Sequence, residues 1–334
     1  MKHIVYHIIL LSVLAFGMAS CITEKQYSDT PQGNFEQLWK IMDEKYCFFD
    51  YKKVDWDSVH TVYSKYITSD MSEDALFEVL GNMLSTLKDG HVNLYYSGNT
   101  ARNWSWYEDY PRNFDATIVD GYLGTDYHVA GGLKYKILPD NIGYVYYADF
   151  SQSISNGILN DMLSYFAICN GIIIDVRNNG GGLLTNSSTF ASHFTNTSVL
   201  TGYIRHKTGT GHNDFSEPFA IYLDPADGIR WQKKVVVLTN RHCFSATNDF
   251  VNNMNCLPNV TLLGDKTGGG SGMPITSELP IGWTVRLSAS PYYDASMNQI
   301  EFGINPDISV SMSTEDALIG KDTLIEAARQ LLGK

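Results

Sequence analysis

The chain has 334 residues, a hydrophobic content of 44% and a formal net charge of −12 at pH 7. A chain of this length can bury a sizeable core, and it suits one large domain with a smaller companion. The acidic balance and the lack of a run of Lys and Arg argue against a nucleic-acid-binding surface.

The N-terminal 20 residues predict a signal peptide. A basic start precedes an apolar run from Ile4 to Met18, and small residues lead directly to Cys21. The run is too short for a comfortable membrane span, and small residues before a cysteine are typical of a bacterial lipobox. We therefore expect Cys21 to be lipidated and to begin a polar tether over 21–33. An ordinary secretory cleavage site is the alternative.

Apolar residues recur at helical spacing in the next part of the chain, which predicts a small N-terminal helical bundle over 34–90. The helical segments are Phe35–Tyr51, Trp56–Ile67 and Glu73–Leu87. Ser72 suits the N-cap of the third helix, and Gly90 suits its end.

Residues 91–141 predict a small β-rich connector. His91 stands at the junction between the third helix and an alternating, strand-like run, and an isolated histidine there is most often a structural hydrogen-bonding group. Short strand patterns also occur in DATIVDGYLG (115–124) and GGLKYKIL (131–138). The segment is too short for a separate peptide-binding module of the PDZ kind.

From Ile142 onward, apolar strands alternate with helical segments, which predicts a layered α/β domain over 142–334. The strand at 171–176 runs into three glycines at 180–182, and such a turn lets backbone N–H groups approach a bound group closely. No Lys-Ser/Thr pair follows these glycines, so the turn is not a phosphate loop. A second glycine-rich loop lies at 264–272, and a helix is predicted over Ser313–Leu332.

A polar turn after the apolar strand Val235–Leu238 carries Ser245. Thr247 to Asp249 suit the first turn of a helix, so Ser245 could simply be its N-cap. A serine here is more often a cap, and the alternative is a nucleophile, with backbone N–H groups directed at the oxyanion that forms when it attacks a carbonyl. Cys243 is expected to point inward as a packing residue. The nine histidines lack metal-ligand spacing, so we predict no metal site.

Five segments occur in an order that resembles the C-terminal processing (tail-specific) serine peptidase family, whose relatives include the tricorn core protease and interphotoreceptor retinoid-binding protein. They are LKDGH (87–91), IIIDVRNNGGG (172–182), LTNRHCFSA (238–246), GDKTGGG (264–270) and EFGINPD (301–307). The resemblance implies a ClpP/crotonase-like α/β core with Ser245 as the nucleophile. It also implies an oxyanion hole formed by the amides of Ala246, Gly180 and Gly181.

The resemblance further implies which residue is the base. In the bacterial processing branch a lysine follows the Thr-x-Gly of the second glycine loop, whereas this chain has Gly270 there. The chain is more similar to the tricorn-type branch, in which His91 would take the serine proton and Glu301 would complete the relay. Histidine suits this role because it titrates near neutral pH. Tricorn has a serine directly before its histidine, where this chain has Gly90, so Asp89 is a second candidate for orienting the ring.

These observations predict a lipid-anchored serine endopeptidase of the bacterial cell envelope, which hydrolyses peptide bonds through an acyl-enzyme on Ser245 with His91 as general base. Its partners would be the membrane and a peptide or unfolded protein, bound as an added strand along an edge of the core. No cofactor is implied. Two alternatives use the same fold, namely a non-catalytic lipoprotein that binds peptide, lipid or glycan, and an esterase that acts on small acyl substrates.

Overall fold

The computed structural model describes residues 27–103 and 105–333, so the predicted signal peptide and Cys21 lie outside the described residues. Its α-helices are α1 (Pro31–Lys45), α2 (Phe49–Lys52), α3 (Trp56–Tyr63), α4 (Glu73–Ser85), α5 (Ala116–Leu123), α6 (Asn156–Tyr165), α7 (Leu184–Ser192), α8 (Ala246–Asn255), α9 (Thr314–Leu318) and α10 (Thr323–Leu332). Its strands are β1 (Asn93–Tyr96), β2 (Asn99–Arg102), β3 (His128–Ala130), β4 (Leu133–Ile137), β5 (Ile142–Tyr147), β6 (Gly171–Asp175), β7 (Val199–Ile204), β8 (Phe219–Leu223), β9 (Val235–Thr239), β10 (Val260–Gly264), β11 (Gly272–Glu278), β12 (Thr284–Asp294) and β13 (Ile308–Ser309).

A seven-stranded sheet with the order β13-β10-β9-β6-β5-β4-β3 forms the centre of the core. The strands from β13 to β5 are parallel, and β4 and β3 extend the sheet in antiparallel pairing. β6 and β9 are buried along their whole length, as their continuous runs of Ile and Val predict. Alternate residues face opposite layers, with Ile172 and Ile174 in one apolar cluster and Ile173 in another.

Helices cover both faces of this sheet. α6, α7 and α8 pack on one face through residues such as Leu159, Phe190 and Phe250. α5 and α10 pack on the other face through residues such as Val119 and Leu324. The predicted α/β core is therefore confirmed as a three-layer arrangement.

A second sheet has the strand order β2-β1-β12-β7-β8, and β11 also pairs with β12. The long strand β12 organises it, because its first residues pair with β1 and its last residues pair with β7. The segment at 91–102 thus joins this sheet and does not form a unit with β3 and β4, which belong to the central sheet.

The N-terminal helices pack against the second sheet, where Phe35, Leu38 and Leu80 share one apolar cluster with Val285 and Leu287 of β12. Within the first predicted helical segment, α1 ends at Lys45 and α2 covers Phe49–Lys52.

α1 begins before the predicted boundary at residue 34. Thr30 is its N-cap, and the Thr30 hydroxyl accepts a hydrogen bond from the Gly33 N–H at 3.1 Å. Pro31 follows in the first helical position, which suits a residue without an N–H. This cap extends the helix into the segment predicted as a tether.

The strand predicted within 115–124 is wrong, because this segment forms α5. Asp115 caps the helix by accepting hydrogen bonds from the N–H groups of Thr117 and Ile118. Val119 and Leu123, four residues apart, then face the core. The single helix predicted over Ser313–Leu332 is likewise two helices, with Gly320 between them at a φ of 72°.

In the part of the chain that the structure describes, no helix combines the length and the apolar character needed to cross a bilayer.

Candidate active site

Ser245 stands at the turn that leads directly into α8. Its backbone has a φ of 59° and a ψ of −123°, a conformation that non-glycine residues rarely adopt. Its side chain makes no capping hydrogen bond to the first turn of the helix. A strained turn of this kind presents a serine hydroxyl outward, as nucleophile turns do. The geometry therefore favours the nucleophile interpretation over the plain N-cap.

His91 lies 154 residues away in the sequence but meets Ser245 in the fold. Its Nε2 is 2.9 Å from Ser245 Oγ, which is within the range that proton transfer requires. The ring is buried and packs on Phe244, with ring centroids 4.8 Å apart. The structure thus brings together the two residues on which the predicted chemistry depends.

Burial of the imidazole lowers the pKa of His91 to about 4. The negative charge of Asp89 and the carbonyl of Gly272 oppose this shift, whereas the positive charges of Arg286 and Lys52 add to it. Among the described residues, Nδ1 has no hydrogen-bond partner of normal geometry. At neutral pH the ring is therefore uncharged, and Nε2 can accept a proton if Nδ1 carries the other one.

Glu301 makes no hydrogen bond to His91. Its Oε1 lies 2.9 Å from Lys52 Nζ, and its Oε2 accepts a hydrogen bond of 2.7 Å from the Ser271 N–H. Burial raises the pKa of Glu301, the charge of Asp89 raises it further, and the charge of Lys52 opposes both. In this structure Glu301 is therefore held by Lys52 and Ser271.

Asp89 contacts the backbone of His91 and not its ring. Its Oδ1 accepts the His91 N–H at 2.8 Å, and its Oδ2 accepts the hydroxyls of Tyr46 and Ser288 at 2.8 and 3.1 Å. Burial alone would raise the pKa of Asp89, but the charge of Lys52 and these hydrogen bonds hold it below its usual value. Asp89 thus fixes the turn that carries His91.

Lys52 was not singled out by the sequence, yet it connects the two carboxylates. Its Nζ lies 3.1 Å from Asp89 Oδ2 and 2.9 Å from Glu301 Oε1, and its side chain is only 5% exposed. Burial lowers the pKa of Lys52, but the two carboxylates outweigh burial and raise it. The only local signal was a lysine directly after the aromatic run FFDY, which is not a motif.

The glycine turn at 180–182 packs directly against the Ser245 turn. A Cβ placed on Gly181 would lie 2.7 Å from the Phe244 carbonyl oxygen and 2.8 Å from Ser245 Cβ, and Gly181 has a φ of 102°. Asn179 fixes this approach, since its Oδ1 accepts the Gly181 N–H and the Thr247 hydroxyl. Only glycine fits at position 181 without displacing its neighbours.

Not all of the backbone N–H groups expected to form an oxyanion hole are available to bind a substrate oxygen. The Gly181 N–H donates to Asn179 Oδ1 at 2.9 Å. Within the described part of the chain, the N–H groups of Gly180 and Ala246 donate to no acceptor. Ala246 is the first residue of α8, where helix N–H groups lack intrahelical partners. Gly180 and Ala246 are therefore the two available donors.

Position 270, where the lysine of the bacterial branch would stand, has no room for a side chain. Gly270 has a φ of 78°, and a Cβ there would lie 2.4 Å from Phe244 Cζ. Any side chain at this position would displace Phe244, against which His91 packs.

Cys243 is buried as predicted, and its Sγ donates to the Val176 carbonyl at 3.0 Å.

Two cavities meet at the serine. Their volumes are about 120 and 400 Å³, and both are lined by His91, Gly182, Ser245 and Arg286. A peptide chain lying through both cavities would pass the Ser245 hydroxyl.

No cluster of potential metal ligands occurs among the described residues.

Comparisons with known proteins identify the family to which the chain is similar. Residues 141–310 match peptidase family S41, and residues 27–85 match the tricorn protease C1 domain. The tricorn protease of Thermoplasma acidophilum is 26% identical over 190 residues, which cover 56% of this chain and 16% of that protein. The carboxy-terminal-processing protease of Bartonella bacilliformis is 26% identical over 199 residues, covering 58% and 44%. The chain thus spans less than half the length of either relative.

Solved structures extend the match over most of the chain. A crystal structure of a candidate peptidase from Parabacteroides merdae is 53% identical, with a TM-score of 0.87, and the match covers 91% of this chain and 97% of that one. The structure of mature CPAF has a TM-score of 0.69 at 12% identity, with coverage of 91% and 96%. At 12% identity, the likeness to CPAF shows a shared fold alone, and this fold agrees with the predicted fold class.

Proposed function

The chain belongs to peptidase family S41, and from that premise we propose that it is a serine endopeptidase with Ser245 as nucleophile and His91 as general base. The observation that carries the proposal is the 2.9 Å contact between His91 Nε2 and Ser245 Oγ. A serine hydroxyl is a weak nucleophile unless a base removes its proton, and a contact of this length provides that base.

The reaction proceeds through an acyl-enzyme. His91 takes the hydroxyl proton as Ser245 Oγ attacks the carbonyl carbon of the substrate, and the N–H groups of Gly180 and Ala246 stabilise the oxyanion. The protonated imidazole then donates to the leaving amine, and water hydrolyses the ester by the reverse sequence. The carboxylate of Asp89 lies close enough to favour the imidazolium that forms in between.

The substrate is a peptide or an unfolded protein that binds as an added strand along β11. Among the described strands, β11 pairs only with β12, which leaves its other edge available for main-chain hydrogen bonds. Residues 272–274 of β11 line the smaller cavity together with Ser245 and His91. An extended chain on this edge would therefore reach the nucleophile.

Covalent labelling with a fluorophosphonate probe tests this function. Because the base form of His91 is required and burial lowers its pKa to about 4, labelling should rise with pH through a midpoint near that value. An unperturbed imidazole would place the midpoint at about 6.5. The measurement is the initial labelling rate between about pH 3.5 and pH 8, with circular dichroism at each pH to verify the fold.

Three outcomes discriminate between the candidate functions. Labelling of the wild type that is lost in Ser245→Ala supports a serine hydrolase, whereas no labelling at any pH would favour the non-catalytic binding lipoprotein. A labelled enzyme that hydrolyses small acyl esters but no peptide would be the esterase. A midpoint near 6.5 would contradict the effect assigned to burial of His91.

We place the protein in the bacterial cell envelope, anchored through a lipid on Cys21. The support is the sequence pattern at the N-terminus. Cys21→Ser should move the protein expressed in a bacterial host from the membrane fraction to the soluble fraction, because the acyl chains are lost. The matched control is Cys256→Ser, which removes a half-buried thiol and should stay with the membranes. Retention of Cys21→Ser in the membrane fraction would exclude the lipid anchor.

A further inference from the structure

Arg286 lies on β12 beside the nucleophile. Its neighbours Val285 and Leu287 are buried in the cluster beneath the N-terminal helices. Since successive side chains of a strand point to opposite faces, Arg286 projects from the other face of the strand. There it lines both cavities that meet at Ser245 and His91.

The charge of Arg286 is not neutralised by any carboxylate that the structure describes. Among the described residues its guanidinium forms no ion pair, whereas the buried cations Lys52 and Arg177 each contact two carboxylates. Arg286 is also the only Lys or Arg that lines either cavity in the described part of the chain. Arg286 thus places an unpaired positive charge where the two cavities meet.

Asp249, the one acidic residue that lines either cavity in the described part of the chain, is occupied by other groups. Its Oδ2 accepts hydrogen bonds from the Ser187 hydroxyl and from Asn253 Nδ2. Burial raises the pKa of Asp249 to about 6. Asp249 therefore belongs to a polar network in the cavity wall, and Arg286 is left to bind an anion that comes from outside the chain.

We propose that Arg286 binds a carboxylate of the peptide substrate next to the scissile bond, so that the enzyme selects peptides that are acidic at this point. The inference rests on the proposed peptidase function. An arginine presents N–H donors in a planar fork that matches the two oxygens of a carboxylate. The carboxylate is that of a Glu or Asp side chain or that of the chain terminus, and the test below separates these two sources.

Binding of such a carboxylate also acts on the base. The positive charge of Arg286 is one of the causes that lower the pKa of His91. A carboxylate paired with Arg286 would offset that charge and make His91 a stronger base while substrate is bound. The same contact between Arg286 and the substrate carboxylate would thus both select the peptide and make His91 a stronger base.

The test uses pairs of peptides that differ only in charge. One pair has Glu or Gln on the N-terminal side of the scissile bond, one has them on the C-terminal side, and one ends beyond the bond in a free acid or an amide. We expect the wild type to prefer the charged member of one pair by about 10- to 100-fold in kcat/KM, since a hydrogen bond between charged partners contributes about that much. The pair that shows the preference identifies the source of the carboxylate.

Variants of Arg286 assign the preference to this residue. Arg286→Gln should bring the ratio close to one, Arg286→Lys should leave part of it, and Arg286→Glu should invert it in favour of the uncharged member of the pair. Because both rates come from one preparation, partial unfolding of a variant does not alter the ratio. The control Arg230→Gln, which removes an exposed guanidinium bonded to Asn196, should keep the wild-type ratio.

Each result is decisive. Equal cleavage of all pairs by the wild type, or an unchanged ratio in Arg286→Gln, would overturn the inference while leaving the peptidase function intact. If the wild type cleaves no peptide and takes up no fluorophosphonate, the proposed function itself has failed. Should Arg286→Gln be inactive, calorimetric binding of the same pairs to Ser245→Ala, with and without Arg286→Gln, gives the same ratio without turnover.

Discussion

Replacement of Ser245 by Ala is expected to lower kcat for peptide hydrolysis by about 10⁴- to 10⁶-fold. The hydroxyl is the group that forms the acyl-enzyme, and the thiol of nearby Cys243 cannot replace it because it is buried and donates to the Val176 carbonyl. The Ser245 side chain makes no helix-capping bond, so the free energy of unfolding should change little. Single-turnover hydrolysis of a fluorogenic peptide, alongside thermal unfolding, measures both effects.

His91→Ala should cost a similar factor, and the Ser245→Ala/His91→Ala double variant should be no slower than either single variant. Residues that act as one unit show this lack of additivity, because removal of either member already abolishes the shared step. The control is Ser192→Ala, whose hydroxyl bonds only to the Thr189 carbonyl on α7. If the fold losses in kcat of the two single variants multiply in the double variant, Ser245 and His91 do not act in one common step.

The elements of the core could be predicted from the sequence because they depend on local patterns. The runs IIID and VVVL are typical of buried parallel strands next to helices, and the structure confirms this prediction. The error at α5 arose because Ile118, Val119 and Leu123 satisfy both a strand and a helix pattern over a short segment. The Asp115 cap and the packing against the central sheet decided the outcome.

The candidate site could be predicted only in part. The contact of His91 with Ser245 joins residues 154 positions apart, and only the order of five motifs indicated that they belong to one site. The surroundings of Glu301 could not be worked out, because its charged partner is Lys52, a residue outside every motif. Ion pairs between distant segments leave no periodic pattern, so a sequence does not reveal them.

Lys52→Met is expected to lower the free energy of unfolding by about 3–5 kcal/mol, the usual cost of removing one member of a buried ion cluster. The lysine bridges Asp89 and Glu301, whose side chains are 0% and 5% exposed. Met keeps the length of the apolar stem, so the variant removes mainly the charge. Urea denaturation measures the difference. The control Lys40→Met removes a partly exposed partner of Glu44 at 3.7 Å and should cost about 0–1 kcal/mol.

The deficit of Lys52→Met should shrink as the pH falls from mildly alkaline to mildly acidic. Burial already raises the pKa of Glu301 in the folded protein, and loss of the opposing Lys52 charge raises it further. A carboxyl group whose pKa is higher in the folded than in the unfolded state takes up its proton preferentially in the folded state, so acidification stabilises the fold. Asp89, whose pKa is lowered while Lys52 is present, loses much of that depression together with the lysine.

A second substitution separates the charge effect from the loss of packing. Lys52→Met/Glu301→Gln removes one of the two carboxylates left without a counter-charge, so it should be more stable than Lys52→Met at neutral pH and less dependent on pH. A double variant as unstable as Lys52→Met would show that the uncompensated charge of Glu301 is not the cause of the deficit. Because Asp89 holds the backbone N–H of His91, restored stability should be accompanied by a faster rate of fluorophosphonate labelling at Ser245.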